Sequence, residues 1–188
     1  MARSLPAEER RGEILDQAFG LFAARGYHAL SMRDLARELG ASTGVLYHWF
    51  PGKPELYAAL LERQVSRQVG EALATLALVP EADRLQALGG HIAAQADDLQ
   101  HTLVVALDWL RAEPDARGPI QAALQAWRGA MAEICGLTPA EVDRGLSIVL
   151  GELLQRVLDP GRSLDGLAQT LPTLRGASQP ASGAKQMG

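Results

Sequence analysis

Cysteine is almost absent from this chain: Cys135 stands alone among 188 residues. One thiol closes no intrachain disulfide, so stability has to come from an apolar core, and a reducing cytoplasm is the natural setting. Aromatic residues make up only 5% of the chain, and β-branched residues are also few. That scarcity works against a sheet-built domain. Long apolar runs are missing as well. No stretch approaches the roughly 20 residues of a membrane span, and no signal-like apolar segment opens the chain. The expectation is a soluble cytoplasmic protein with no membrane partner. Also lacking are a Gly-rich phosphate loop, a zinc-ligand spacing and a nucleophile beside a matched base. We therefore expect no enzyme, no catalytic residues, no cofactor and no metal. Asp97 and His101 do stand four residues apart, but two ligands on one helix are too few for a site.

What is abundant is Ala and Leu, within a hydrophobic content of 47%. Good helix formers in excess over β-branched residues predict an all-α chain. The net charge is −4, an unpromising sign for a polyanionic partner. Its distribution is more permissive. Residues 1–69 carry 9 Lys and Arg against 8 Asp and Glu, whereas residues 70–188 carry 9 against 14. A nearly neutral N-terminal part with one positive face can bind DNA through few phosphate contacts.

The most informative stretch is Ser31–Lys53. Ser31 is a good N-cap, Asp34 sits at the third helical position, and Leu30 and Leu35 flank the cap as a hydrophobic staple. Gly40 falls where a left-handed residue ends a helix, so the second helix is predicted over Met32–Leu39. Ser42 caps the next helix, which runs through Val45, Leu46 and Phe50 until Pro51-Gly52 stops it. Leu35, Ala36, Leu39, Val45, Leu46 and Phe50 are expected to form a small core. Arg33, Thr43, Gly44, Tyr47, His48 and Trp49 are left near the outer surface. Two short helices across a tight turn, the second with a polar and aromatic face, are a helix-turn-helix. Upstream, Ile14, Leu15, Ala18, Phe19 and Phe22 make one apolar stripe, closed by Arg25-Gly26-Tyr27.

The run Ser42-Thr-Gly44-Val-Leu46-Tyr47-His-Trp-Phe50-Pro-Gly-Lys53 resembles the DNA-binding domain of the tetracycline-repressor (TetR) family of bacterial regulators. The likeness covers roughly residues 8–68. It implies that Tyr47 donates its hydroxyl to a phosphate and that Lys53 meets a phosphate at the start of the fourth helix. A helix N-terminus beside a cation suits a phosphate, and Gly52 would leave its amides unblocked. Thr43 and His48 are better placed for base edges, with Gly44 letting the backbone approach, and Ser42 is counted among the DNA-binding residues. Arg33 is expected to meet the backbone or a guanine. Arg3, Arg10 and Arg11 are candidates for further phosphate contacts. Trp49 departs from the family, which usually has His or Tyr there; the indole N–H is the donor left to it.

Beyond the motif, a connector helix is predicted from Lys53 towards Leu78. Further helices follow near Asp83–Leu99, His101–Ala112, Pro119–Cys135, Pro139–Leu158 and Leu164–Leu174. Thr138-Pro-Ala-Glu141 is a strong start signal, combining a cap, a proline at the first helical position and a capping-box Glu. The fold class expected is thus all-α, an N-terminal three-helix domain followed by a helical effector and dimerisation domain. The boundaries read as 1–52, with the start of helix four to about 68, then 69–175, and a disordered tail over 176–188. The resemblance implies dimerisation through Pro119–Cys135 and Pro139–Leu158, a palindromic double-stranded operator, and release of a repressor by a small-molecule effector. His91, His101, Leu103, Leu107, Trp109, Trp127 and Met131 are the bulky or polar-tipped residues expected to line an effector pocket. The competing class is a helical interaction module that uses the helix-turn-helix as a structural unit for a protein partner.

Overall fold

A computed structural model describes residues 7–176. Arg3 and most of the expected tail lie outside the described residues. Nine α-helices and no strand occur among them, and none of the helices is long and apolar enough to cross a membrane. By packing, the chain divides into two compact units, Met1–Glu71 with Asp97–Trp127 and Ala72–Ala96 with Arg128–Gly188.

The first unit begins with α1 (Ala7–Arg25), whose apolar stripe is buried in full: Ile14, Leu15, Ala18, Phe19 and Phe22. Gly26 ends it with φ +81°, a left-handed conformation that glycine adopts without steric strain. α2 (Met32–Glu38) starts on the expected capping box. The Ser31 hydroxyl accepts from the Asp34 amide, and the Asp34 carboxylate accepts from the Ser31 amide, both at 3.1 Å. The Ser31 hydroxyl also donates to that carboxylate at 2.6 Å, and this bond, then the one from the Ser31 amide, holds the Asp34 carboxyl below the usual carboxylate range. Gly40, with φ +60°, turns the chain into α3 (Thr43–Trp49). α4 (Lys53–Ala77) is one continuous helix and contributes residues up to Glu71 to this unit. α6 (Ala96–Ala112) adds Val105 and Trp109 to the same core. Buried Gln64 and Gln68 on α4 donate their amide N–H groups to Asp98 and Thr102 of α6, pairing donors that would be costly to bury alone.

The second unit packs α5 (Arg84–Ala94) against α9 (Leu167–Thr170) and the 3-10 turn after it, Leu171–Gly176. Leu85, Leu88 and Ile92 of α5 are buried, as are Leu164, Leu167, Leu171 and Leu174. α7 (Gly118–Cys135) ends in this unit under two arginines. Arg84 donates to the Ile134 carbonyl at 2.7 Å and Arg175 to that of Cys135 at 2.5 Å, a favourable pairing of cations with a helix C-terminus. Burial pushes the Cys135 thiol up, so it behaves as a small apolar core residue. α8 (Pro139–Leu158) begins on the capping box read from Thr138 and Glu141.

Two boundaries differ from expectation. The helix break predicted near Gln100 falls at Gln95, whose N–H bonds to the His91 carbonyl. Asp97 and Asp98 then occupy the first turn of α6, where carboxylates favour the positive end of a helix. Near the C-terminus only Leu167–Thr170 is α-helical, and Leu171–Gly176 tightens to 3-10.

A close backbone approach in the second unit passes through Gly89. A Cβ there would lie 2.5 Å from the backbone of Leu167 and Ala168, whereas one at Gly90 would meet nothing. Gly89→Ala should therefore destabilise the chain by about 1–3 kcal/mol through overpacking. Gly90→Ala should leave stability unchanged or raise it by up to about 1 kcal/mol, by helix propensity alone. Chemical denaturation of both variants checks this, and equal effects would contradict the close approach.

Candidate nucleic-acid interface

α3 has only seven residues, so its position depends on what it packs against. The Ser42 hydroxyl caps it by accepting from the Val45 amide at 3.2 Å, and the Phe50 amide closes it on the Leu46 carbonyl at 2.8 Å. Leu46 and Phe50 point inward and are fully buried. Helical rotation of about 100° per residue then puts Gly44 and His48 on the opposite side. Thr43 and Tyr47 take one flank, and Val45 and Trp49 the other. Thr43, Gly44 and His48 are exposed, Tyr47 is 53% exposed, and Trp49 is half-buried against the core. Ser42 is exposed at the helix start, and Arg33 on α2 is exposed as well. An open groove of about 570 Å³ runs along the second flank, lined by Arg10 of α1 together with Ala41, Ser42, Val45, His48 and Trp49. Arg11 lays its guanidinium over the Phe50 ring at 5.1 Å, so it braces the helix from behind.

Two sequence expectations change here. Val45, read as core, is 39% exposed because Leu46 already takes the inward direction. Lys53, read as a phosphate ligand, turns its half-buried ammonium back onto the protein. Its Nζ donates to the Tyr27 and Leu30 carbonyls, each at 3.0 Å, and sits 3.9 Å from the centre of the Tyr27 ring. Burial lowers its pKa, and the carboxylates of Glu113 and Asp108 partly offset that. The N-terminus of α4 is also less open than expected, since a Cβ at Gly52 would lie 2.9 Å from a Glu55 carboxylate oxygen. Lys53 is thus a structural clamp on the turn between α1 and α2.

Tyr27 is the other half of that clamp. Its hydroxyl donates to Glu113 at 3.0 Å, and its amide donates to Asp108, which lies on α6. Its ring meets those of Tyr57 and Trp109 edge-on, with centroids 5.1 and 5.9 Å away. Burial, then the bond to Glu113, raises the Tyr27 phenol far above the ordinary tyrosine range. Burial does the same for Tyr57, whose hydroxyl donates to the Val105 carbonyl at 2.7 Å. Sequence reading missed Tyr27, Asp108 and Glu113 because 81 and 86 residues separate the partners, and no local pattern spans that distance.

The expected effector-pocket residues are divided between the two compact units. Trp109 is packed core, not cavity lining: it is 2% exposed, stacks on Tyr57 and donates its indole N–H to the Ala116 carbonyl at 2.7 Å. Leu107 and His101 are exposed, while Leu103 and Trp127 are half-buried in the same unit. His91 and Met131 belong to the other unit. Among the described residues no three His, Cys, Asp or Glu side chains come together as a metal site.

Comparison with known proteins agrees with this geometry. The profile for "Bacterial regulatory proteins, tetR family" matches residues 14–60, the segment from α1 to early α4. The HTH-type transcriptional activator FasR of Mycolicibacterium smegmatis is 34% identical over 135 residues, which is 69% of this chain and 60% of FasR. The HTH-type transcriptional repressor KstR2 of Mycobacterium tuberculosis is 46% identical over 52 residues, 28% of this chain and 26% of that protein. This chain therefore spans less than two thirds of either relative. In three dimensions it resembles the fatty acid degradation regulator FadR of Bacillus halodurans, with a TM-score of 0.73 at 18% identity, covering 89% of this chain and 99% of the other.

The two outlying tyrosines of this unit should separate cleanly. Tyr27→Phe removes a part-buried hydrogen bond to a carboxylate and should lower stability by about 1–3 kcal/mol. Tyr47→Phe alters an exposed side chain and should stay within about 0.5 kcal/mol of the parent. Urea unfolding of the pair checks this, and equal stability would remove the structural role given to Tyr27.

Proposed function

Because the chain belongs to the tetR family of bacterial regulatory proteins, we propose that it is a DNA-binding transcriptional regulator, acting as a ligand-released repressor. The observation that carries this reading is the exposed face of α3, with Thr43, Gly44, Tyr47 and His48 turned away from a core that holds the helix by Leu46 and Phe50. Tyr47 and Arg10 supply phosphate contacts that set the register. Thr43 and His48 read base edges, and Arg33 adds a backbone or guanine contact. Trp49 packs against the core and offers its indole edge to the backbone. Lys53 acts indirectly, by fixing the frame.

The working form is a homodimer. α8 leaves Leu154 at 48% and Leu158 at 80% exposure, and Leu146, Ile148, Val149, Leu150 and Val157 only half-buried. So broad an apolar face supports burial against a second copy, through α8 and the adjoining α7. Two-fold symmetry would set two α3 helices on one side, about 34 Å apart, and match them to a palindrome. A small-molecule effector that binds better to a mis-spaced dimer weakens DNA affinity by the same factor that DNA weakens its own. The levers are α4 and α6: α4 begins at the Lys53 clamp, and α6 carries the Asp108 carboxylate that holds Tyr27.

Capture of sheared genomic DNA by the purified chain, near physiological salt and followed by sequencing, tests this. A short palindrome should be enriched, and light scattering should give twice the mass of one chain. Retention without sequence preference, or a strictly monomeric species at micromolar concentration, would contradict the proposal.

A further inference from the structure

We propose that Val45 is a base-reading residue that contacts the C5-methyl group of one thymine in each half-site; the assignment rests on the DNA-binding reading of α3. Val45 is the one large apolar side chain classed as exposed on α3 besides Tyr47, and it stands directly before the fully buried Leu46. That offset carries it out of the core and into the open groove it lines with Ser42, His48 and Arg10. Arg10 on the rim gives the groove the charge that an anionic backbone would approach. Val45 itself gains nothing from a phosphate, because its two γ-methyl groups would be desolvated against a charge. The edges of bases in the major groove present one apolar group, the thymine methyl.

Geometry on α3 favours the approach. Gly44, just before Val45, carries no side chain, and a Cβ added there would meet only Ser42 Oγ at 3.8 Å. The backbone can therefore come close to the floor of the groove at this point and bring the γ-methyl groups down with it. His48, three residues on and exposed, stands beside Val45 on the groove and supplies a polar contact to a neighbouring base edge. Val45 thus adds apolar readout to a surface whose other members are polar.

Single-methyl replacement tests the assignment on the full-length chain. A duplex site is first selected from random DNA, and each thymine of its half-site is then replaced singly by deoxyuridine, which lacks only the methyl group. One position per half-site should lose affinity by about fourfold, the effect of burying roughly one methyl group. In Val45→Ala, whose side chain falls short of the γ positions, the same replacement should change affinity less than twofold. The variant should melt with the parent, since the site is exposed. Tyr47→Phe should weaken binding yet keep the full thymine discrimination. Insensitivity to every methyl deletion, or equal sensitivity in Val45→Ala, would overturn the assignment. Failure to select any site would instead overturn the DNA-reading function beneath it.

Discussion

The ammonium of Lys53 is the contact on which the unit holding α1 to α3 depends. It sits on the ring of Tyr27 and on the carbonyls of Tyr27 and Leu30, so one cation fastens the turn between α1 and α2 to the start of α4. A lysine suits the place better than an arginine would. Its compact charge reaches two carbonyls and a ring face from one point, where a planar guanidinium would demand a wider, forked acceptor. Partial burial makes the charge harder to hold, and the nearby carboxylates of Glu113 and Asp108 compensate.

From that contact the remainder of the unit follows in order. Tyr27, held from below by Lys53 and from the side by Glu113 and Asp108, closes an aromatic cluster with Phe22, Tyr57 and Trp109. Tyr57 belongs to α4 and Trp109 to α6, so the cluster joins α1, α4 and α6 around one point. α2 is anchored through its own capping box and through Leu35 and Ala36, both buried. α3 then rests on this frame chiefly by the fully buried Leu46 and Phe50, with Trp49 packed half-buried beside them. A seven-residue helix has no stability of its own. The presentation of Tyr47 and His48 is therefore a property of the frame more than of the helix that carries them. The same arrangement ties α6 and the residues after it to the frame of α3: the carboxylates of Asp108 and Glu113 bond to Tyr27, which carries the Lys53 ammonium.

Much of this was legible in the sequence wherever the signal is local. Ser31 with Asp34, Gly40, Ser42 and Thr138 with Glu141 are short-range capping chemistry, and each sits where its spacing places it. The apolar stripe from Ile14 to Phe22 is likewise periodic, and it is buried. Reading failed where a side chain had a choice of partners. Lys53 follows a helix-stop and looks like a surface cation, yet carbonyls from Tyr27 and Leu30 claim it. Val45 looks like core by type, yet Leu46 occupies the inward direction first. Trp109 looks like a pocket wall by size, yet Tyr57 and the Ala116 carbonyl complete its packing. For Lys53 and Trp109 a residue distant in sequence decided the outcome, for Val45 the adjacent Leu46 did, and the helix break at Gln95 shows that even local punctuation is weak without Gly or Pro.

The most direct test of the Lys53 clamp is the salt dependence of DNA binding in Lys53→Met, measured on one fixed duplex beside the parent. Methionine keeps an unbranched apolar stem and removes the charge. If Lys53 fixes the frame, the variant should lose stability and bind DNA more weakly, while log K against log salt keeps the parent's slope. A slope smaller by about one, with stability unchanged, would mean that Lys53 neutralises a phosphate after all.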